Sequence, residues 1–363
     1  MSLDALFAPF RLGSLHLPNR IVMAPMSRYV SPRGVPTQAF ADYHRRRAEA
    51  GVGLVITGAT GIERIAANND PNLACFHGPA LPAWQNLVAD VRQAGGRIAL
   101  QLWHAGSAWN RSEGYDPGGP IESPSGTNGP GKAIGRAMSD EDIADTIAAF
   151  ARAAAQAQAM GFDVVEIHGA HGFLIDQFFW AQTNLRTDRW GGMSLVERTR
   201  FGVDVIRAVR EAVGPDFPIF LRISQWKAQD FSARPIGSPG ELGAWLAPLV
   251  EAGVDLFHCS QRRFWEPEFS GEDLNLAGWV RRLSGKPTIT VGSVGLDSDF
   301  FSREGPARPA SLDEVVRRLE RGDFDLVAVG RALLGDPEWA AKIRDGRADE
   351  LTPVGREAQQ TLF

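Results

Sequence analysis

The sequence predicts an α/β fold, a (β/α)8 TIM barrel carrying an N-terminal hairpin and an extended loop after its third strand. Three observations lead there. Eight short apolar runs, at 21–24, 54–57, 98–102, 164–167, 219–223, 256–258, 288–291 and 326–329, alternate with amphipathic helical patterns at 37–50, 81–94, 140–160, 194–213, 240–252, 274–283 and 311–321. Strands that are apolar throughout need cover on both faces, and a parallel sheet obtains it from the helices between its strands. Several units also repeat the order helix, glycine, short apolar run, as in AQAMGFDVVEI, LVEAGVDLFHC and LERGDFDLVAVG. Gly161, Gly253 and Gly322 then sit where a left-handed residue stops each helix. Finally, 363 residues hold a barrel of roughly 250 residues with insertions, so 1–363 reads as one domain. An open, doubly wound sheet is the alternative.

Two segments stand outside the alternation. FRLGSLHLPNR alternates apolar and polar residues around Gly13 and Ser14, which predicts a hairpin plugging the barrel floor. Residues 107–138, rich in Gly, Pro and Ser, predict a long loop shaping substrate access on the active-site face. With 44% hydrophobic and 22% charged residues, the chain can bury a full core without disulfides or metal. Cys75 and Cys259 form no metal or redox spacing and read as structural thiols. A net charge of −5 argues against nucleic acid or an anionic membrane as the main partner. MSLDALFAPF lacks a signal-peptide pattern, and no run approaches the ~18 apolar residues of a membrane span, so a cytoplasmic protein is expected.

In parallel barrels the reactive groups gather at the C-terminal ends of the strands. Strand four ends in HGAHGF. His168 at the tip and His171 three residues on can present both imidazoles to one side, where each donates a hydrogen bond to a carbonyl or phenolate oxygen. A zinc pair and ordinary buried histidines are the alternative readings; neither a third nearby ligand other than Glu166 nor a Cys cluster supports zinc. Glu166 shares a face with His168, and Arg222 an inward face on strand five. A lone inward arginine needs a carboxylate or a bound anion, so a Glu166–Arg222 pair is expected. Strands seven and eight end in Gly292, Ser293 and in Gly330, Arg331. Glycines there admit close approach of backbone amides, and arginine forks onto phosphate oxygens, at the place where barrels commonly hold phosphate. No GxGxxG joins a strand to a helix, so a mononucleotide fits better than a dinucleotide on a Rossmann module. The loop QRRFWEPEF after strand six is expected to set Arg262, Arg263, Phe264, Trp265 and Glu266 over the pocket.

Through APMSRY, QLWHAG, HGAHGFLIDQF, TNLRTDRWGG, LRIS, VGSVG and VGRALL, in that order over nearly its whole length, the chain resembles the old yellow enzyme family of flavin mononucleotide oxidoreductases. The resemblance implies a barrel holding FMN, reduced by NADPH or NADH and reoxidised by an activated alkene of the enone type in a ping-pong cycle. It implies flavin contacts from Ala24, Pro25, Met26, Ser27, Ala59, Gln101 and Arg222, and phosphate contacts from Gly292, Ser293, Gly330 and Arg331. His168 and His171 would bind the substrate carbonyl, with Tyr29, Phe173 and Trp265 beside it. Many relatives carry a tyrosine where this chain has Phe173. Phenylalanine cannot donate a proton, so Tyr29 or water must supply it. Amine oxidation, as in related barrel demethylases, and a flavin-binding barrel without turnover are the alternatives. Barrels of this kind often associate, so a homo-oligomer is an open expectation.

Overall fold

The computed structural model describes residues 2–109, 115–299 and 305–362. Its eight barrel strands are β1 (Ile21–Met23), β2 (Leu54–Ile56), β3 (Ile98–Trp103), β4 (Val164–His168), β5 (Ile219–Ser224), β6 (Leu256–Ser260), β7 (Thr288–Val291) and β8 (Leu326–Val329). All neighbouring pairs are parallel; β1 pairs with β8, and the β2–β3 pairing joins the remaining edges, so no barrel strand has a free edge. This closed parallel barrel is the architecture expected from the alternation.

Around it lie α1 (Gln38–Glu49), α2 (Leu81–Gln93), α3 (Asp140–Met160), α4 (Arg200–Val213), α5 (Pro239–Ala252), α6 (Leu276–Ser284), α7 (Asp313–Arg321) and α8 (Trp339–Arg344). Gly161, Gly253 and Gly322 take φ of 91°, 115° and 81° immediately after α3, α5 and α7, the stops read from the sequence. The single helix expected over 194–213 is interrupted: Leu195–Arg198 precedes α4. The Thr199 hydroxyl donates to the Leu195 carbonyl, and the Arg198 guanidinium is drawn to the carbonyls of Phe179, Gly192 and Met193. Such side-chain bonds to backbone carbonyls compete with the regular ladder.

Period two sorts the barrel interior into tiers. The lower tier is apolar: Val22, Leu54, Ala99, Val164, Phe220, Leu256, Ile289 and Leu326 cluster with Leu15 and Leu17 of the hairpin Phe10–Leu12/Leu15–Leu17, which thereby covers the floor. Two residues further along their strands stand Gln101, Glu166, Arg222 and His258, all buried. His168, Ser224 and Ser260 lie at the strand tops, also buried. Apolar residues therefore fill the end that faces the hairpin, and polar chemistry is confined to the other.

The insertion at 107–138 forms a two-residue parallel pair, Glu122–Ser123 with Arg136–Ala137. Arg64 and Arg136 both pair with Glu122 and with Asp142 near the start of α3, tying the loop to a barrel helix. Both cysteines are buried and unpaired. Among the described residues, no helix is long and apolar enough to cross a membrane.

His44 in α1 and His104 after β3 are buried, and burial first of all holds each down to about 3. The unfolded chain binds these protons near pH 6.5, so stability is fully present above that pH and is lost as pH falls toward 3. Each group contributes a slope of about 1.4 kcal/mol per pH unit in that window. Calorimetry should show the melting temperature falling steadily below pH 6, and His44→Phe should make the fall shallower; an unchanged slope would contradict the assignment.

Candidate active site

The turn after β4 carries the histidine pair. The ring centroids of His168 and His171 lie 5.1 Å apart. Ala170 N–H donates to His168 Nδ1 at 3.3 Å; that nitrogen is then an acceptor, and Nε2 carries the proton as a donor. His171 Nε2 lies 2.8 Å from Ser260 Oγ, and its ring stacks on Trp226 at 4.2 Å. Burial, then the nearby Arg222, holds both imidazoles well below the ordinary histidine range. At neutral pH they are neutral hydrogen-bond donors.

His171 has φ of 63°, unusual for a residue with a side chain, and Gly172 follows at 77°. The strain is held at almost every backbone group. His171 N–H donates to Ser224 Oγ (2.9 Å), and its carbonyl accepts from Ala228 N–H (3.0 Å). Gly172 N–H donates to Asp176 Oδ2 (2.7 Å), and its carbonyl accepts from Gln177 and Gln229. Asp176 Oδ1 accepts from Lys227 Nζ at 2.7 Å, both side chains being buried. The turn that aims His171 therefore rests on a buried ion pair contributed by the short helix Leu174–Phe179 after β4 and the loop after β5.

Beneath the histidines, Glu166 Oε2 accepts from His258 Nδ1 at 2.6 Å and Oε1 from Gln101 Nε2 at 2.7 Å. The expected Glu166–Arg222 pair is replaced by these bonds. Parallel register sets Arg222 opposite His168 and His258, and Glu166 opposite Phe220 and Gln101; Arg222 acts on Glu166 through the field alone. Burial pushes Arg222 down to about 10, with Glu166 opposing, so it stays charged at neutral pH. Arg222 Nη1 reaches only the Pro25 carbonyl at 3.5 Å, and its Nε is buried without a partner.

The strand ends expected to line a flavin converge here. A Cβ built on Gly330 would lie 3.8 Å from Ala24 and 3.7 Å from Met26, and one on Gly58 would collide with the Met26 carbonyl at 2.6 Å. These approaches bring the ends of β1, β2 and β8 together, with Ser27 next in sequence. Ala59 and Phe173 both pack against the small apolar cluster that contains Trp103. Gly292 has φ of 151°, and a Cβ there would meet the Gln261 carbonyl at 2.6 Å, so only glycine fits. Ser293 has φ of 55°, and its hydroxyl lies 3.4 Å from Arg331, which also reaches the Ser298 carbonyl. Phe173 meets His168 edge-on at 5.0 Å and Trp103 at 5.1 Å, an apolar wall beside the imidazole pair. Tyr29 lies on the loop after β1, 54% exposed.

Above β5 and β6 a cavity is lined by Ser260, Trp226, Phe231, Arg262, Arg263 and Glu266, among others. Trp265, expected over the pocket, instead packs edge-on against Phe264 at 5.2 Å and joins the outer core between strands and helices. Asn275 donates to the Phe264 carbonyl and Arg318 to the Trp265 carbonyl, which turns this pair away. Trp226, Ser224, Ser260, His258, Lys227 and Asp176 were missed from sequence. Period two alone would have found the two serines and His258, each two residues beyond an inward position.

The barrel thus gathers paired imidazoles, an under-satisfied buried arginine and the conformationally restricted Gly292 at one end. The chain belongs to the NADH:flavin oxidoreductase / NADH oxidase family, whose model matches residues 5–350, and within it to the old yellow enzyme group. It is 34% identical over 364 residues to the NADH oxidase of Thermoanaerobacter brockii, covering 95% of this chain and 52% of that one. It is 32% identical to an NADPH dehydrogenase of Bacillus cytotoxicus, covering 92% and 90%. The chain thus spans about half the length of the NADH oxidase, and likewise half of a metal reductase of Desulforamulus reducens. Among solved structures, an old yellow enzyme homologue from Zymomonas mobilis superimposes with a TM-score of 0.81 at 26% identity, covering 98% and 96% of the two chains. Morphinone reductase in complex with tetrahydroNAD gives 0.79 at 26% identity, covering 99% and 97%. The family cofactors are FMN and NAD(P)H, and the partnerless Arg222 Nε and the side-chain-free Gly292 and Gly330 suit an anionic, flat cofactor.

Removing one member of the Asp176–Lys227 pair leaves the other charge buried. Lys227→Met should therefore lower the unfolding free energy by about 3–5 kcal/mol in urea titrations, whereas a loss below 1 kcal/mol would mean that the pair does not hold the turn. Arg222→Met should reduce the FMN content of purified protein, measured by flavin absorbance against protein; full occupancy would remove Arg222 from the cofactor site.

Proposed function

We propose that this chain is an NAD(P)H-dependent, FMN-containing oxidoreductase that reduces the C=C bond of α,β-unsaturated carbonyl compounds in a ping-pong cycle. The observation that carries the reading is the neutral imidazole pair at the head of β4, with His168 Nε2–H set as a donor. Two neutral donors at one point suit an oxygen that becomes an enolate, since they strengthen as its charge grows. FMN, which Arg222 and the ends of β7 and β8 would hold, would supply the two-electron hydride chemistry between the nicotinamide and the alkene. His168 and His171 hold the carbonyl oxygen and draw electron density away from the alkene. Arg222, opposite His168 on β5, contributes fixed positive charge beside them. The α-carbon then needs a proton, which Phe173 cannot give; Tyr29 or a water entering past it supplies it.

The relatives named NADPH dehydrogenase, and the morphinone reductase complex with tetrahydroNAD, support nicotinamide as the reductant and a small molecule as the oxidising partner. Anaerobic stopped-flow is the test. NADPH or NADH should bleach the flavin absorbance of the loaded protein, and cyclohexenone or maleimide should restore it; bleaching without recovery would leave a flavin reductase of another substrate class.

His168→Ala should slow the recovery phase by about a hundredfold with little change in flavin content. Phe173→Tyr places a phenol beside His168 and should speed recovery tenfold or more. An unchanged rate would show that protonation does not limit the cycle.

A further inference from the structure

His168 has its tautomer set by a backbone amide, but no backbone group does the same for His171. The ring of His171 touches two neighbours whose positions come from other strands: Trp226 stacked on its face, and Ser260 at the top of β6, whose Oγ lies 2.8 Å from Nε2. Ser260 is 4% exposed and His171 8%, so bulk water does not compete freely for this bond. A serine hydroxyl can donate or accept, and the choice decides which ring nitrogen carries the proton. If Ser260 donates, Nε2 is an acceptor and Nδ1–H is free to donate elsewhere; if it accepts, Nε2–H is spent on Ser260 and Nδ1 meets an enolate oxygen with a lone pair, which is repulsive. Turning the ring over about Cβ–Cγ keeps the stack on Trp226 but carries Nε2 away from Ser260.

We propose that Ser260 is a positioning residue that donates to His171 Nε2 and thereby holds His171 as the Nδ1–H tautomer, so that both histidines present N–H groups to a substrate oxygen. The assignment rests on the enone-reductase reading for its use, but the tautomer itself is independent of that reading. It also gives β6 a part in the site: its inward residues His258 and Ser260 each bond a residue of the β4 arm, Glu166 below and His171 above.

The test uses the FMN-loaded full chain labelled with 15N-histidine. Long-range 1H–15N correlation spectra distinguish protonated from bare ring nitrogens, and the His171 signals are assigned by their loss in His171→Gln. The wild type should show His171 with Nδ1 protonated and Nε2 bare. Ser260→Ala should convert it to a mixture or to the Nε2–H form, and Ser260→Thr, which keeps the hydroxyl, should restore the original pattern. In parallel, Ser260→Ala should slow flavin reoxidation by an enone about tenfold to a hundredfold, with flavin content unchanged and the Thr variant again recovering. A wild-type spectrum with Nε2 protonated, or an unaltered His171 pattern in Ser260→Ala, would overturn the proposal. The predicted tautomers without any enone turnover would instead overturn the substrate reading and leave the role of Ser260 intact.

Discussion

A carboxylate buried in the middle of a barrel is the constraint around which this interior is arranged. Glu166 has no contact with water, and an ionised group in that position is tolerated only when its oxygens are hydrogen-bonded and opposite charge lies near. Gln101 and His258 meet the first condition from the strands that flank or face β4, and Arg222 meets the second from one tier above. Burial would raise the Glu166 pKa, but these neighbours outweigh it and the group is held below the ordinary carboxylate range. Because side chains alternate along a strand, placing Glu166 inward also places His168 inward at the open end. The charge that organises the polar tier and the imidazole at the open end are thus consequences of one strand orientation.

Rigidity at the open end comes from a different source. The chain leaves β4 through a left-handed turn, and the loop after β5 and the helix Leu174–Phe179 hold it by hydrogen bonds and the Asp176–Lys227 pair. Strained backbone persists where its surroundings over-determine it. Here the surroundings are themselves part of the site, since Ser224 and Trp226 belong to the same β5 arm that carries Arg222. Arg222 and the turn that carries His171 are therefore mechanically joined through one strand and the loop that follows it.

Much of this was legible in the sequence, for identifiable reasons. The eight strands announced themselves because strands covered on both faces are written as uninterrupted apolar runs, and Gly161, Gly253 and Gly322 marked where helices had to stop. His168 and His171 stood out because polar residues at strand ends have few other reasons to follow such runs. The Glu166–Arg222 pairing failed because period two assigns a face but not a height, and only the stagger between β4 and β5 reveals that Arg222 sits opposite His168. Trp265 was misplaced because a loop has no period from which to read direction; carbonyl bonds from Asn275 and Arg318 decide it. Ser224 and Ser260 lay within reach of the same rule that found Arg222, just past the apparent ends of their strands. The Asp176–Lys227 pair joins residues far apart in sequence, and neither residue's neighbours signal the other.

The closure of the barrel also dictates when it can exist. Ile21 takes its place against Val327, and Met23 against Val329, so the first strand cannot complete its hydrogen bonds until β8 has been made. A nascent chain must hold an apolar strand with one edge bare until then, and pairings between distant residues are slow to form. The hairpin Phe10–Leu12/Leu15–Leu17, made from neighbouring residues and carrying Leu15 and Leu17, can assemble at once. It gives Val22 apolar company during that wait, and so acts as a cover for β1 before it becomes the floor of the finished barrel.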